Sequence, residues 1–215
     1  VVWYNDGASK VARTNNEGIT WDTLLLANTG TISSISYNDV GVSDSLRAWI
    51  IGSSSFLCEC PAPVLRTSNG GISWEDTVLN VSGNPCNGFN SVSVLTDSIA
   101  ALLFCSRVLY QTTSSGFTWR VDSLSKAYNI VTFADKKHLW LVGNEGRTLH
   151  TIDGGITWIS DVIDSNYDFF SISALDSLNI WITGTKGKIL HTIDGGISWD
   201  SVKVPTKLDI NAVYF

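Results

Sequence analysis

The chain repeats itself. Residues 149–158 (LHTIDGGITW) recur almost letter for letter as residues 190–199 (LHTIDGGISW). Looser copies lie at 14–21, 67–74 and 112–119. All five fit the pattern Thr-x-(Asp/Asn/Ser)-x-Gly-x-(Thr/Ser)-Trp. Self-similarity at a period of roughly 40 residues is the mark of a solenoid, a propeller or an array. A fold for this chain must therefore be a unit that can be stacked, not one irregular core.

A second signal accompanies each box. Trp140 stands eleven residues before Thr151, Trp181 eleven before Thr192 and Trp3 eleven before Thr14. Ala101 takes that place before Thr112, and Trp49 precedes Thr67 by eighteen because of an insertion. These four strand Trp, with the box Trp at positions 21, 74, 119, 158 and 199, account for all nine in the chain. A residue type confined to two repeat positions serves the repeat. Upstream in each unit comes a short apolar run, at 32–37, 89–95, 128–133, 169–174 and 210–215. Short β-branched and aromatic runs bounded by Gly, Asn, Asp and Ser are strands and turns. No segment shows the 3.6-residue period of an amphipathic helix.

Each unit thus reads as four strands, A to D. Strand A is the apolar run, B carries the Trp, C runs into the box, and the box forms the C–D turn. Four-stranded units repeated radially make an all-β propeller, an arrangement that protects sheet edges. The expected organisation is a single domain, 1–215, of five four-stranded blades: residues 210–215 with 1–25, then 31–79, 89–123, 127–162 and 168–203. In this reading the first blade is closed by strands from both ends of the chain. Charged residues are only 16% of the total, as expected for strands buried on both faces.

The net charge is −6, with Lys and Arg scattered singly. That excludes the basic stripe required by nucleic acid or an anionic membrane. No apolar run approaches the ~18–20 residues of a membrane-spanning helix. The chain does not begin with Met and shows no signal peptide, as in a protein processed, trimmed or incomplete at its N-terminus.

The pattern resembles the Asp-box, or BNR, repeat of β-propellers. The Thr-x-Asp-Gly-Gly-x-Thr-Trp form joined to an upstream Trp-x-Val-Gly looks most like the photosystem II assembly and stability factor family, which is widespread among secreted bacterial proteins. The resemblance implies scaffolding or assembly of a larger complex through a protein partner, without catalysis, metal or cofactor.

The chemistry of the box itself points to structure. Its Asp or Asn side chain accepts backbone hydrogen bonds within a turn, its Gly supplies positive φ, and its Trp covers the turn. The structural positions are Asn16, Gly18 and Trp21; Asn69, Gly71 and Trp74; Ser114, Gly116 and Trp119; Asp153, Gly155 and Trp158; Asp194, Gly196 and Trp199. Glu17 replaces the first Gly of one Gly-Gly pair, and Ser114 is expected to weaken its turn. His150 and His191 share one repeat position with Arg13, Arg66 and Gln111, a polar column suited to hydrogen bonding between blades. Sialidases share the box, but this chain lacks their Arg cluster and Arg-Ile-Pro motif. Xyloglucanase-like glycosidases use paired Asp, and Asp161, Asp164 and Asp168 form an acidic loop without an evident partner.

In a four-stranded blade the B–C and D–A loops share one face. Cys58 and Cys60 lie in the B–C insertion of the second unit, Cys86 in the next D–A loop and Cys105 at the third unit's B–C turn. Four Cys allow three pairings. A bridge between Cys58 and Cys60 would be strained, so Cys86 and Cys105 are each expected to pair with one of them. That would require an oxidising, extracytoplasmic compartment. A four-thiolate metal site is the rival reading, though the usual Cys-x-x-Cys pairs are absent; four free thiols are the third.

The same face carries Asn90, Asn129 and Asn211 at one aligned position, with Ser33 and Phe170 in the other units. With Arg107, Tyr167 and Asp168 they are the candidate binding residues, because loops on a rigid scaffold are where function sits. The expected ligand is a protein. A glycan bound in lectin fashion is the alternative, and a degenerate glycoside hydrolase a third reading. Residues 80–82 form an N-glycosylation sequon.

Overall fold

A computed structural model describes residues 2–5, 8–14, 16–24, 35–54, 62–77, 79 and 88–215. Nineteen strands and one 3-10 turn, Thr185–Gly187, make up its regular structure. No helix among the described residues is long and apolar enough to cross a membrane. The strands form five antiparallel sheets. The first contains β1 (Val2–Asn5), β2 (Ala8–Arg13) and β3 (Asp22–Leu24). The second runs β4 (Ile35–Val42), β5 (Ala48–Ser54), β6 (Val64–Thr67), β7 (Glu75–Asp76). The third consists of β8 (Phe89–Val94), β9 (Ala100–Phe104), β10 (Val108–Thr112) and β11 (Arg120–Ser123). In the fourth, β12 (Ile130–Phe133), β13 (Leu139–Val142), β14 (Arg147–Thr151) and β15 (Ile159–Val162) lie in chain order. The fifth repeats that order with β16 (Phe169–Ala174), β17 (Ile180–Gly184), β18 (Ile189–Thr192) and β19 (Asp200–Ser201).

The chain divides into two compact units. One comprises Val1–Cys105 and Thr112–Trp119; the other comprises Ser106–Gln111 and Arg120–Phe215. The low charge content has its expected counterpart: every residue of β9 and of β13 is buried. In the second unit Trp140, Val142, Phe169, Ile172, Ile180, Ile182 and Leu190 form one core, with Trp199 and Tyr167 packed against it. In the first, Val11, Ile50 and Leu65 pack with Tyr37, Val40 and Trp74.

Four sheets have the four strands expected of a blade, and the first has three. The closing strand expected from residues 210–215 is not among the strands. The backbone there is used otherwise. Ile210 N–H donates to Gly184 O at 3.0 Å, as Phe169 N–H donates to Gly143 O at 3.1 Å. Val213 N–H donates to Ser171 Oγ at 3.1 Å, as Val92 N–H donates to Asp39 Oδ2 at 2.9 Å. Residues 210–215 thus follow the fifth sheet as a first strand would, but form no ladder of their own.

The apolar run expected at 32–37 is also displaced. The described strand, β4, continues to Val42, with a bulge between Tyr37 and Asp39. β8 and β16 bulge at the matching place, between Phe89 and Ser91 and between Phe169 and Ser171. The residue aligned with Asn90 is therefore Asn38. Ser33 lies outside the described residues.

Candidate binding face

The boxes are built alike. In each, the amide of the second Gly donates to the Thr Oγ1: Gly18, Gly71 and Gly155 at 2.9 Å, Gly116 and Gly196 at 3.0 Å. The Asn, Asp or Ser then accepts the amide four residues on, at 2.9 Å from Thr20, 3.0 Å from Ser73 and 2.9 Å from Thr118, Thr157 and Ser198. Ser114 holds its turn with the same bond, despite its shorter side chain. The Trp21 and Trp119 indoles close the loop by donating to Gly18 O and Gly116 O.

The first position of the Gly-Gly pair has φ of 58° at Glu17 and 55° at Ser115, a left-handed conformation that a side chain can adopt at a cost. The second position is Gly in all five boxes. A Cβ there would lie 2.7 Å from Trp49 at Gly116, 2.4 Å from Trp140 at Gly196 and 2.7 Å from Gln111 at Gly155. In these three boxes the Gly is thus the bed on which the preceding sheet's side chain rests. The polar column contributes to the same seam: Arg13 donates to Gly70 O and Arg66 to Ser115 O. His150 and His191 do something else. Each stacks on the Trp opposite it in its own sheet, His150 on Trp140 at 4.1 Å and His191 on Trp181 at 3.9 Å.

Asp153 and Asp194 are structural carboxylates. Asp153 is held down to about 2 by the Thr157 hydroxyl, with the Thr157 amide and the Thr151 hydroxyl adding to it. Asp194 is held down to about 2 by the Ser198 hydroxyl and amide and the Thr192 hydroxyl. A carboxyl whose pKa is lowered on folding stabilises the fold above its unfolded value of 3.8, and that contribution disappears as pH falls through about 2. Asn16 and Asn69 hold the same turn without titrating. The double variant Asp153→Asn, Asp194→Asn should therefore melt below the unaltered chain at pH 7. The gap should close between about pH 4 and pH 2, as read by thermal melts across that range.

The residues expected to bind a ligand lie mostly in the second unit. There the B–C turns and D–A loops interlock. Gly146 N–H donates to Tyr167 O at 2.7 Å, and Glu145 N–H to Asp168 Oδ1 at 2.8 Å. One repeat on, Lys186 N–H donates to Asp209 Oδ1 at 2.9 Å. Asp168 and Asp209 are thus equivalent, each holding a turn whose central residue has positive φ. Asn129 spends both amide hydrogens internally, on Asn144 Oδ1 at 2.7 Å and Phe169 O at 2.8 Å. Asn38 donates to Phe89 O in the same way, at 2.7 Å. Asn90 and Asn211 are exposed at the matching position. The Asn column therefore ties one first strand to the next where its partners are visible.

Tyr167 and Arg107 remain as side chains presented by this surface. Arg107 is exposed and reaches Ser125 O at 3.5 Å. The Tyr167 ring lies beneath two cations not singled out from the sequence, with Lys188 Nζ 4.5 Å and Lys186 Nζ 5.6 Å from its centroid. Lys188 also pairs with Asp164 at 3.2 Å. That pair answers the acidic loop: Asp164 has a structural cation, and burial, which would raise its pKa, is outweighed by hydrogen bonds from Asn166 and Lys188. The spacing of 41 residues between Asp168 and Asp209, and between Glu145 and Lys186, was the signal that could have found these partners. Cys58, Cys60 and Cys86 lie outside the described residues. Cys105 sits at the β9–β10 turn with its amide 3.0 Å and its Sγ 3.7 Å from Gly88 O. Among the described residues no group of three or more His, Cys, Asp or Glu is placed to hold a metal ion.

Four-stranded antiparallel sheets, each turned by a Thr-held box under a Trp, define an Asp-box (BNR) repeat protein of the β-propeller class. Residues 121–213 match the family model of photosynthesis system II assembly factor YCF48. Among solved structures, YCF48 from Cyanidioschyzon merolae is 17% identical, with a TM-score of 0.50 over 94% of this chain and 80% of that one. YCF48 bound to D1 peptide is 18% identical, with a TM-score of 0.48 over 90% and 74%. The GH74 xyloglucanase from Xanthomonas campestris is 13% identical, with a TM-score of 0.51 over 92% of this chain and 42% of that one. At these identities the likeness is one of fold. No curated protein matches the chain in sequence.

Proposed function

We propose that this chain is a non-catalytic assembly module that docks a protein partner through the interlocked B–C and D–A loops. The observation that carries the reading is the match of residues 121–213 to an assembly-factor family. The loops themselves support it. They are rigidly tied by backbone hydrogen bonds, yet present Arg107 and Lys186 outward, with Tyr167 half-buried beneath Lys186. Rigid loops carrying an aromatic and cations suit protein recognition, where Tyr and Arg dominate binding energy. Fold alone does not decide function, so the xyloglucanase likeness carries no substrate.

The test is affinity capture from the native source with the unaltered chain and with the Arg107→Glu, Tyr167→Ala variant. The variant should lose a partner that the unaltered chain retains, with weakening of at least about tenfold. Retention of every partner by a folded variant would remove this face from consideration.

Two further elements belong to the proposal. The module works outside the cytoplasm, with Cys86 and Cys105 each paired to Cys58 or Cys60. The bridge between Ser53 and Gly88 supports this, since it sets the end of the strand before the Cys58–Cys60 insertion beside the segment that follows Cys86. Alkylation without reductant should then label no thiol. Residues 210–215 also supply the fourth strand of the first sheet, which the bonds from Ile210 and Val213 favour by presenting them as a first strand.

A further inference from the structure

In every box the residue between the second Gly and the Ser or Thr is large and apolar: Ile19, Ile72, Phe117, Ile156 and Ile197. Its side chain is between 75% and 88% exposed in each copy. The turn uses this residue through its backbone, as where Ile19 N–H donates to Asn16 O and Phe117 N–H to Ser114 O, both at 3.1 Å. Single exposed apolar residues need no explanation, but a contiguous patch marks an interaction surface.

The fifth sheet extends this position into such a patch. Its β16–β17 turn lies at the same end as its box, because Ala174 pairs with Ile180 and Ile180 with Thr192. Gly195 N–H donates to Leu178 O at 3.1 Å, and a Cβ on Gly195 would lie 3.5 Å from Leu178 Cδ2. Leu175, Leu178, Ile193 and Ile197 are all more than half exposed. The fold does not ask for these leucines. The fourth sheet carries Ala134 and Lys137 in their places, 41 residues earlier. Lys137 O accepts from Gly154 N–H at 2.9 Å, as Leu178 O does from Gly195. The turn therefore needs the carbonyl at this position and not a leucine side chain.

Charge decides what the patch can take. Asp176 and Asp194 stand among these apolar residues in sequence. Asp176 accepts from the Leu178 and Asn179 amides and from Asn179 Nδ2. Asp194 accepts from the Ser198 amide and hydroxyl and from the Thr192 hydroxyl. These bonds hold both carboxyls below their ordinary range, and among the described residues no cation contributes. Both are thus ionised at neutral pH. Lys136 and Lys137 of the fourth sheet have Ser177 and Leu178 as counterparts here, so the patch is apolar and anionic. A second copy of the chain, or an anionic membrane, would set like charges against it. Apolar side chains interspersed with Lys or Arg match both of its features.

We propose that the box end of the fifth sheet, formed by Leu175, Leu178, Ile193 and Ile197 with Asp176 and Asp194, docks a basic amphipathic segment of a partner protein. This surface lies at the strand ends away from the B–C and D–A loops. It is a second docking site and does not depend on the first.

The test is methyl NMR on the full-length chain labelled at Ile and Leu, titrated with a synthetic peptide of Leu and Lys at helical spacing. The methyls of Leu175, Leu178, Ile193 and Ile197 should shift together. Ile159, exposed on strand β15 of the fourth sheet, should not. The Leu178→Lys, Ile197→Ser variant should bind at least about tenfold more weakly, and the Lys137 turn is the precedent that Leu178→Lys folds. The Asp176→Asn, Asp194→Asn variant should lose affinity at low salt more than at high salt. A Leu–Glu peptide of the same length should not bind. Equal shifts at Ile159, equal binding of the Leu–Glu peptide, unchanged affinity in either variant, or no binding at all would overturn the proposal. Concentration-dependent shifts of the same methyls without peptide would also overturn it, by assigning the patch to a second copy.

Discussion

Replacing Gly196 with alanine is expected to cost about 3–5 kcal/mol, whereas the same change at Gly195 costs about 1 kcal/mol. The two glycines are adjacent and both have positive φ, 72° at Gly195 and 88° at Gly196. The difference is what stands over them. A Cβ at Gly195 would meet Ser177 O at 3.3 Å and a Leu178 methyl at 3.5 Å, contacts that small shifts relieve. A Cβ at Gly196 would fall 2.4 Å from Cη2 of Trp140. Trp140 is buried and held between His150 and Trp199, so its ring has nowhere to go. The chain already contains the tolerated change, since Glu17 and Ser115 occupy the Gly195 position of other boxes. Thermal melting should separate the variants, with Gly196→Ala lowering the transition by roughly 10 °C and Gly195→Ala by a few degrees. Equal losses would mean that φ alone, not the indole, demands glycine.

The complementary deletion should be as severe. Trp140→Ala removes a ring that is 2% exposed and stands at the centre of the second unit's core. Large aromatic-to-alanine changes in cores cost about 3–5 kcal/mol, and here an edge-to-face partner and a stacked ring are lost as well. A second readout isolates the stack. Burial presses the His150 pKa below its ordinary value, so in a folded Trp140→Ala chain the imidazole should titrate nearer the ordinary range. Proton NMR of His150 measures that rise. Trp181→Ala should cost less, because Trp181 is only half-buried and packs against Phe215 rather than a box Trp.

These effects explain why the repeat was so legible. The Thr, Asp or Asn, second Gly and Trp each make a bond or contact inside their own unit. The same chemistry must therefore be written five times, and periodicity exposes it. The four-stranded sheets, the C–D position of the box and its structural carboxylates followed from that pattern.

Other features had no such trace. Spacing sets Asn129 at a repeat position, but its bond to Phe169 O is visible only in the folded sheets. Asn38 was hidden by a bulge, which inserts a residue that spacing alone does not show. The Lys pair over Tyr167 joins residues some 20 positions apart, a contact that depends on how the turns interlock.

By itself, then, the sequence determined the unit: its four strands, its turn chemistry and the places where glycine and tryptophan recur. Only the tertiary structure decided which polar groups are consumed in holding one sheet to the next and what residues 210–215 bond to. Local hydrogen bonds and periodic burial are encoded within a few residues of each other. Seam contacts instead depend on pairings between segments far apart in the chain.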